Sequence, residues 1–212
     1  ICVLFVLSAM IGPLANRAHS DLSVHMLSHI LLGMLAPLLI AFSSPLTLLL
    51  RILNVNKARR LIGLMKSWPL QLLTHPFFTA VISVGGLWIL YTTSLYALMQ
   101  QHVLLHIFVH LHVFVASYLF TISIISIDYQ PHRSSIRLRS IVLLFALAAH
   151  GILSKYLFAH PPEGVSRMDA EKGSMMMYYG GDAVELLLIF IFCYQWYRAT
   201  KPRVSSNIHS FV

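Results

Sequence analysis

The chain has 212 residues, of which 58% are hydrophobic and only 10% charged, with a formal net charge of +8 and a mean hydropathy of +0.76. A soluble domain carries about 25% charged residues, so composition excludes an ordinary water-soluble domain and points to a chain solvated by lipid. The positive charge does not imply nucleic acid, because the basic residues gather between apolar runs.

These runs are continuous rather than alternating, which favours helices over a barrel. The expected fold is all-α, a polytopic transmembrane helix bundle forming a single domain over residues 1–212. About six helices are expected here, the first cut short, and up to seven in a longer parent chain. The run Ile1 to Ala15 is too short to span and, with no methionine at its head, reads as the end of a helix begun upstream. Spans are then predicted at Leu22 to Leu50, Pro69 to Met99, His102 to Ile127, Ser140 to Phe158 and Tyr179 to Tyr197. The first two exceed a minimal span and should tilt or carry an interfacial turn. Pro37 and Pro45 are predicted to kink the first, and Gly85-Gly86 to loosen the second. Arg51 to Trp68, Asp128 to Arg139 and His160 to Tyr178 are left as connections. Cys2 and Cys193 lie in apolar runs without partner spacing, so local pattern offers no Cys-based metal box or disulfide scaffold.

Charge bias orients this bundle. Arg51, Lys57, Arg59, Arg60, Lys66, Arg133, Arg137, Arg139, Arg198, Lys201 and Arg203 fall on one side; only Arg17, Lys155, Arg167 and Lys172 fall on the other. The richer side is expected to be cytoplasmic and to hold the C-terminus.

Two histidine ladders stand out against this apolar background. One is Asp21, His25, His29 in "SDLSVHMLSHILL"; the other is His102, His106, His110 in "QHVLLHIFVHLH". Four-residue steps keep each ladder on one helix face. Histidine within a bilayer helix is costly unless it faces the bundle and finds a partner. The expected orientation puts His29 roughly 10 Å, and His110 and His150 about 12 Å, below the outer end of their helices, with Glu185 roughly 9 Å in. Four helices would then offer polar groups at one depth.

Two His pairs at i, i+4 suit a metal, as a four-nitrogen site or a three-ligand site with an open position. The expected ligands are His25, His29, His106 and His110. The competing reading is interhelical or backbone hydrogen bonding. Second-tier candidates are His102, His150, Asp21, Glu185 and Met26. Asp21 suits either an orienting carboxylate for His25 or an N-cap. His102 is either a third rung or an interfacial residue, and His150 is a lone His on an apolar face. Glu185, with Asp182, could instead complement a helix dipole. Met26 carries a soft thioether but is turned about 100° from His25. His112 reads as a packing contact, His75 as a helix-start residue, and Met175 to Met177 as gap-filling at an interfacial helix start. Tyr178, Tyr179, Tyr194, Trp196 and Tyr197 read as interfacial anchors.

Several blocks of the sequence resemble one family. "SVHMLSHILLGMLAPLLIAFSSPLTLLLR", "HPFF", "LHIFVHLHVFVASYLF" and "YYGGDAVELLLIFIFCYQWYR" occur in the order found in the CtaG-type, membrane-integral cytochrome c oxidase assembly factors. The resemblance runs from about Ala18 to Arg198. It implies a multi-pass protein of the bacterial plasma membrane that helps build a haem–copper oxidase, not an enzyme. It also implies copper delivery or insertion, with the oxidase subunits and the lipid bilayer as partners. The family's His-Met-x-x-His maps onto His25, Met26 and His29, and its later pair onto His106 and His110. The chain departs from some branches at Tyr178-Tyr179, where others carry Asp-Gln, and at "WILYTTSLY", which has neither His nor Pro.

The expected function is thus an assembly factor that holds copper near the outer face and hands it on; zinc or haem are the alternative cofactors. Rival readings are a haem-binding electron-transfer or quinone-linked protein with bis-His ligation, a histidine-lined transporter or proton relay, and a structural scaffold. A homo-oligomer is compatible with all of them.

Overall fold

A computed structural model of the chain describes residues 22–125, 127–128 and 133–202. The short run Ile1 to Ala15, Asp21 and Arg203 lie outside the described residues. Among the described residues every regular element is helical. Four helices are long and apolar enough to cross a membrane: α1 (Leu22–Phe42), α7 (Val103–Ile124), α8 (Ile136–Ala159) and α9 (Arg167–Thr200). A fifth crossing arises if α5 (Pro76–Thr92) and α6 (Leu95–Gln101), bent by 79°, count as one broken span. The all-helical membrane class is as expected, whereas the number of crossings among the described residues is four or five.

The differences in span ends have local causes. The first predicted span stops at Phe42 instead of Leu50, because Ser44 takes left-handed backbone (φ 47°) and α2 (Pro45–Ile52) restarts behind it. Pro45 cannot continue the preceding helix. The orphan N–H groups at the head of α2 are satisfied from far along the chain. Asp128 accepts from Leu46 N–H and Thr47 N–H, each at 2.8 Å, and from the Thr47 hydroxyl. Pro37 does not produce a plain kink. The turn before it, Ile30–Leu35, widens into a π-helix, and Ala36 N–H bonds Leu31 O. That spacing relieves the clash a proline ring makes with the carbonyl four residues back.

The second predicted span is divided at both ends. Pro76 holds His75 in extended backbone, separating α4 (Trp68–Leu73) from α5. Thr93 is also extended and makes the bend before α6. Gly85-Gly86 leaves α5 unbroken. His75 occupies the N-cap position of α5, as expected of a helix-start residue, without a side-chain capping bond. The connection Arg51 to Trp68 contains a helix of its own, α3 (Val55–Met65), which is basic and has no buried residue.

The last helix starts at Arg167, twelve residues before the predicted Tyr179. Ser166 caps it: its hydroxyl accepts from Asp169 N–H and donates to the Asp169 carboxylate, satisfying one of the orphan donors of the first turn. At 34 residues α9 is about 51 Å long, well beyond the roughly 30 Å hydrocarbon core. Met175 to Met177 therefore lie inside a helix, with Met177 fully buried.

α1 is the central element, lying against α9 and α7, while α8 packs on α9 and α5. α9 meets α1 through Gly173 and Gly180, where an added Cβ would strike Leu22 and Ile30, and meets α8 through Gly181; Ala170, Gly173, Ser174 and Gly181 are buried. Such residues let backbones approach closely where lipid removes the hydrophobic drive. One apolar cluster surrounds Leu22, Met26, Tyr91, Met99, Leu157 and Met177. A second, toward the opposite end, surrounds Leu38, Ile124, Val142, Leu188 and Phe192. Leu104, Phe108, Phe145 and Phe190 stay exposed and face the apolar solvent.

Candidate functional site

A band of imidazoles carried by α1, α7 and α8 begins within the first apolar cluster, where His25 lies against Tyr91 and Tyr96. His25, His29 and His150 are buried, and His106 and His110 are half-buried. The i, i+4 steps turn His25 and His29 inward and His106 and His110 partly so.

Three of the four expected ligands come together. The His25 ring lies 5.4 Å from that of His110 and 6.5 Å from that of His106, centroid to centroid. His106 and His110 stack at 4.2 Å. His110 Nδ1–H donates to the His106 carbonyl at 3.0 Å, which makes Nε2 the ring atom with the lone pair. His25 is oriented from another side, with Nε2 3.2 Å from the Tyr91 hydroxyl.

The Tyr91 hydroxyl also donates to Met26 Sδ at 3.7 Å. Met26 and His25, on different faces of α1, thus meet through one tyrosine of α5. Tyr96 completes the wall, its ring 5.3 Å from His25. Neither tyrosine was among the sequence candidates. The signal available was a pair of tyrosines, Tyr91 and Tyr96, near the end of the predicted span Pro69 to Met99.

His29 is turned the other way. Its ring faces His150 of α8 at 6.4 Å, and His150 Nδ1–H donates to Glu185 Oε1 of α9 at 2.8 Å. His150 is therefore not a lone histidine on an apolar face. Glu185 lies eighteen residues into α9, so it has no helix dipole to complement there. Two glycines make the arrangement fit. A Cβ on Gly181 would sit 2.6 Å from His150 Cε1, and one on Gly33 would sit 3.1 Å from the His29 ring. His29 Nε2 and His150 Nε2 are buried and have no hydrogen-bond partner. Both residues line a cavity of about 70 Å³, together with Met34, Ser83, Ser117 and Glu185.

The remaining candidates stay apart. His102 is exposed at the head of α7. His112 is exposed, with its ring against Gly86 of α5, the packing contact expected. Arg139, expected in a loop, is buried in α8, donates to the Ile124 carbonyl at 2.8 Å and lies over Phe192.

Among the described residues no three His, Cys, Asp or Glu side chains are disposed to hold one ion. Pairs are better placed. A ligating nitrogen sits about 2 Å from its ion, so two rings sharing an ion have centroids about 5–6 Å apart. His25–His110 at 5.4 Å and His29–His150 at 6.4 Å lie close to that range. The stacked His106–His110 pair, at 4.2 Å, is too close to share an ion without a rotamer change.

Residues 1–199 match the family model described as cytochrome c oxidase caa3 assembly factor (Caa3_CtaG). The chain is also similar to the uncharacterised protein ML1998 of Mycobacterium leprae (strain TN), at 32% identity over 153 residues, 69% of this chain. The matched region spans only 23% of that relative's length. No solved structure matches the chain. An all-helical bundle whose sequence matches along almost its whole length belongs to the family of cytochrome c oxidase caa3 assembly factors.

Proposed function

We propose that the chain carries copper as cargo for a haem–copper oxidase under assembly, holding it between His25 and His110, with His106 joining them on a change of rotamer and His29 one turn deeper on α1. The observation that supports this is the gathering of these rings from two helices within 4.2 to 6.5 Å of one another. Packed so closely in an apolar bundle, imidazoles gain most by sharing a cation. Met26, joined to His25 through Tyr91, adds a soft donor at the margin, and thioether with imidazole suits copper.

In this reading the protein is not an enzyme. It binds, shields and releases an ion, and no bond of a substrate is broken. The histidine end faces outward and the basic end, with the C-terminus, faces the cytoplasm of a bacterial plasma membrane. The oxidase subunits are the receiving partners. The 70 Å³ cavity beside His29 and His150 is small against the roughly 300–1,000 Å³ of a pocket for a large organic ligand, so an ion fits this band better than haem. A visible spectrum tests that choice, since a strong Soret band would restore the haem reading.

The direct test is copper content of the purified protein and of His25→Ala, His29→Ala, His106→Ala and His110→Ala, beside oxidase activity in cells carrying each variant. Loss of copper with loss of oxidase copper supports the proposal. Full copper retention in all four variants would overturn it.

A further inference from the structure

The His29–His150 pair is not an outlying part of the outer cluster. His150 stands on α8, which contributes nothing to the His25, His106 and His110 group, and its ring is set by a carboxylate from a fourth helix. The carboxylate can only accept, so Nδ1 must carry the hydrogen and Nε2, in the neutral ring, presents a lone pair. This is the arrangement by which a carboxylate fixes the tautomer and raises the basicity of a metal-binding histidine.

Two further features point at a ligand. The Nε2 atoms of His29 and His150 are both buried without a hydrogen-bond partner, a state that is unfavourable for polar atoms in an apolar bundle. Gly181, where an added Cβ would strike the His150 ring, holds the space that this ring needs. The cavity that both histidines line is also lined by Met34, so imidazole and thioether donors surround one small volume.

We propose that His29 and His150 form a second Cu(I) site, separate from the outer cluster, with Glu185 as its positioning residue and Met34 lending a thioether. The choice of copper rests on the cargo reading above; the site itself rests on the geometry of α1, α8 and α9. Imidazole alone would serve zinc or copper, and the thioether selects Cu(I). The two sites lie on successive turns of α1, through His25 and His29, so the inner site serves as a second station for the ion.

The test is a Cu(I) titration of the full chain in detergent against a chromogenic Cu(I) chelator, with helix content checked by circular dichroism. Wild type is expected to bind two equivalents and His150→Ala one. Glu185→Gln should keep both but weaken one about 10–100-fold. The double variant His25→Ala/His110→Ala should keep the inner equivalent. If His150→Ala binds as wild type does, a plain His–Glu pair with ordinary solvation is the correct description and the inner site is overturned. Should His150→Ala fail to fold, Glu185→Gln decides, and unchanged affinity at every equivalent overturns the proposal. An equivalent lost with His150→Ala but kept in the double variant, with no other bound, supports the inner site and removes the outer cargo cluster. The reverse pattern removes the inner site alone, and no copper bound to wild type removes both.

Discussion

His150 on α8 and Glu185 on α9 meet at 2.8 Å with both side chains largely sequestered, and the contact ties two long helices at the level of the histidine band. Gly181, one turn before Glu185 on the same face of α9, lies against the same imidazole. The ring thus rests on α9 where a hydrogen-bond acceptor and a missing side chain lie one turn apart. Its position follows from both.

Removing the acceptor should therefore be felt in stability. Glu185→Leu leaves the His150 Nδ1–H without its partner, and a hydrogen bond to a charged group contributes about 1.5–3 kcal/mol. Glu185→Gln should cost less, because its amide oxygen can still accept. Unfolding of the detergent-solubilised variants measures the difference, and equal stability of Leu and Gln variants would contradict the assigned bond.

Gly181→Ala should destabilise by about 1–3 kcal/mol, since the added methyl must displace the His150 ring or part α8 from α9. Gly85→Ala is the internal control. Its nearest neighbour would be 4.0 Å away, so it should be neutral or should gain from the roughly 1 kcal/mol helix preference of alanine over glycine. Thermal midpoints of the two variants should move in opposite directions or differ by several degrees.

Asp128 is predicted to act as a remote helix cap and not as part of an ion path. Asp128→Ala removes the acceptor for the Leu46 and Thr47 N–H groups and should cost about 0.5–2 kcal/mol, as N-cap losses do. Hydrogen exchange would localise the effect to the first turn of α2. Faster exchange spread through α1 and α7 instead would refute a local capping role.

Tyr91→Phe should leave the fold intact, because the ring stays buried, but it severs His25 from Met26. Partners that orient a metal-binding histidine typically contribute 10–100-fold in affinity, so the outer copper equivalent should weaken by about tenfold. A Cu(I) competition titration reads this directly. Unchanged affinity would show that Tyr91 packs against His25 without positioning it.

The sequence by itself determined the class of fold, the family and the shared faces of His25 with His29 and of His106 with His110. These follow from one-dimensional properties: apolar run length, block order, and a four-residue step that any α-helix converts into a stripe. It was blind to what lies across from each stripe. His25 and His29 share a face of α1, yet the first meets His110 and the second meets His150. That partition depends on how α7, α8 and α9 are rotated about α1, which Gly33 and Gly181 set by close approach. The break at Ser44 was hidden as well, because its stabilising carboxylate, Asp128, arrives from more than eighty residues away. The early start of α9 could have been read from Ser166 and Asp169, and from Ala170, Gly173, Ser174 and Gly181 recurring at helical spacing. What a small-residue face packs against, and which imidazole a carboxylate will hold, were decided only when the helices met in three dimensions.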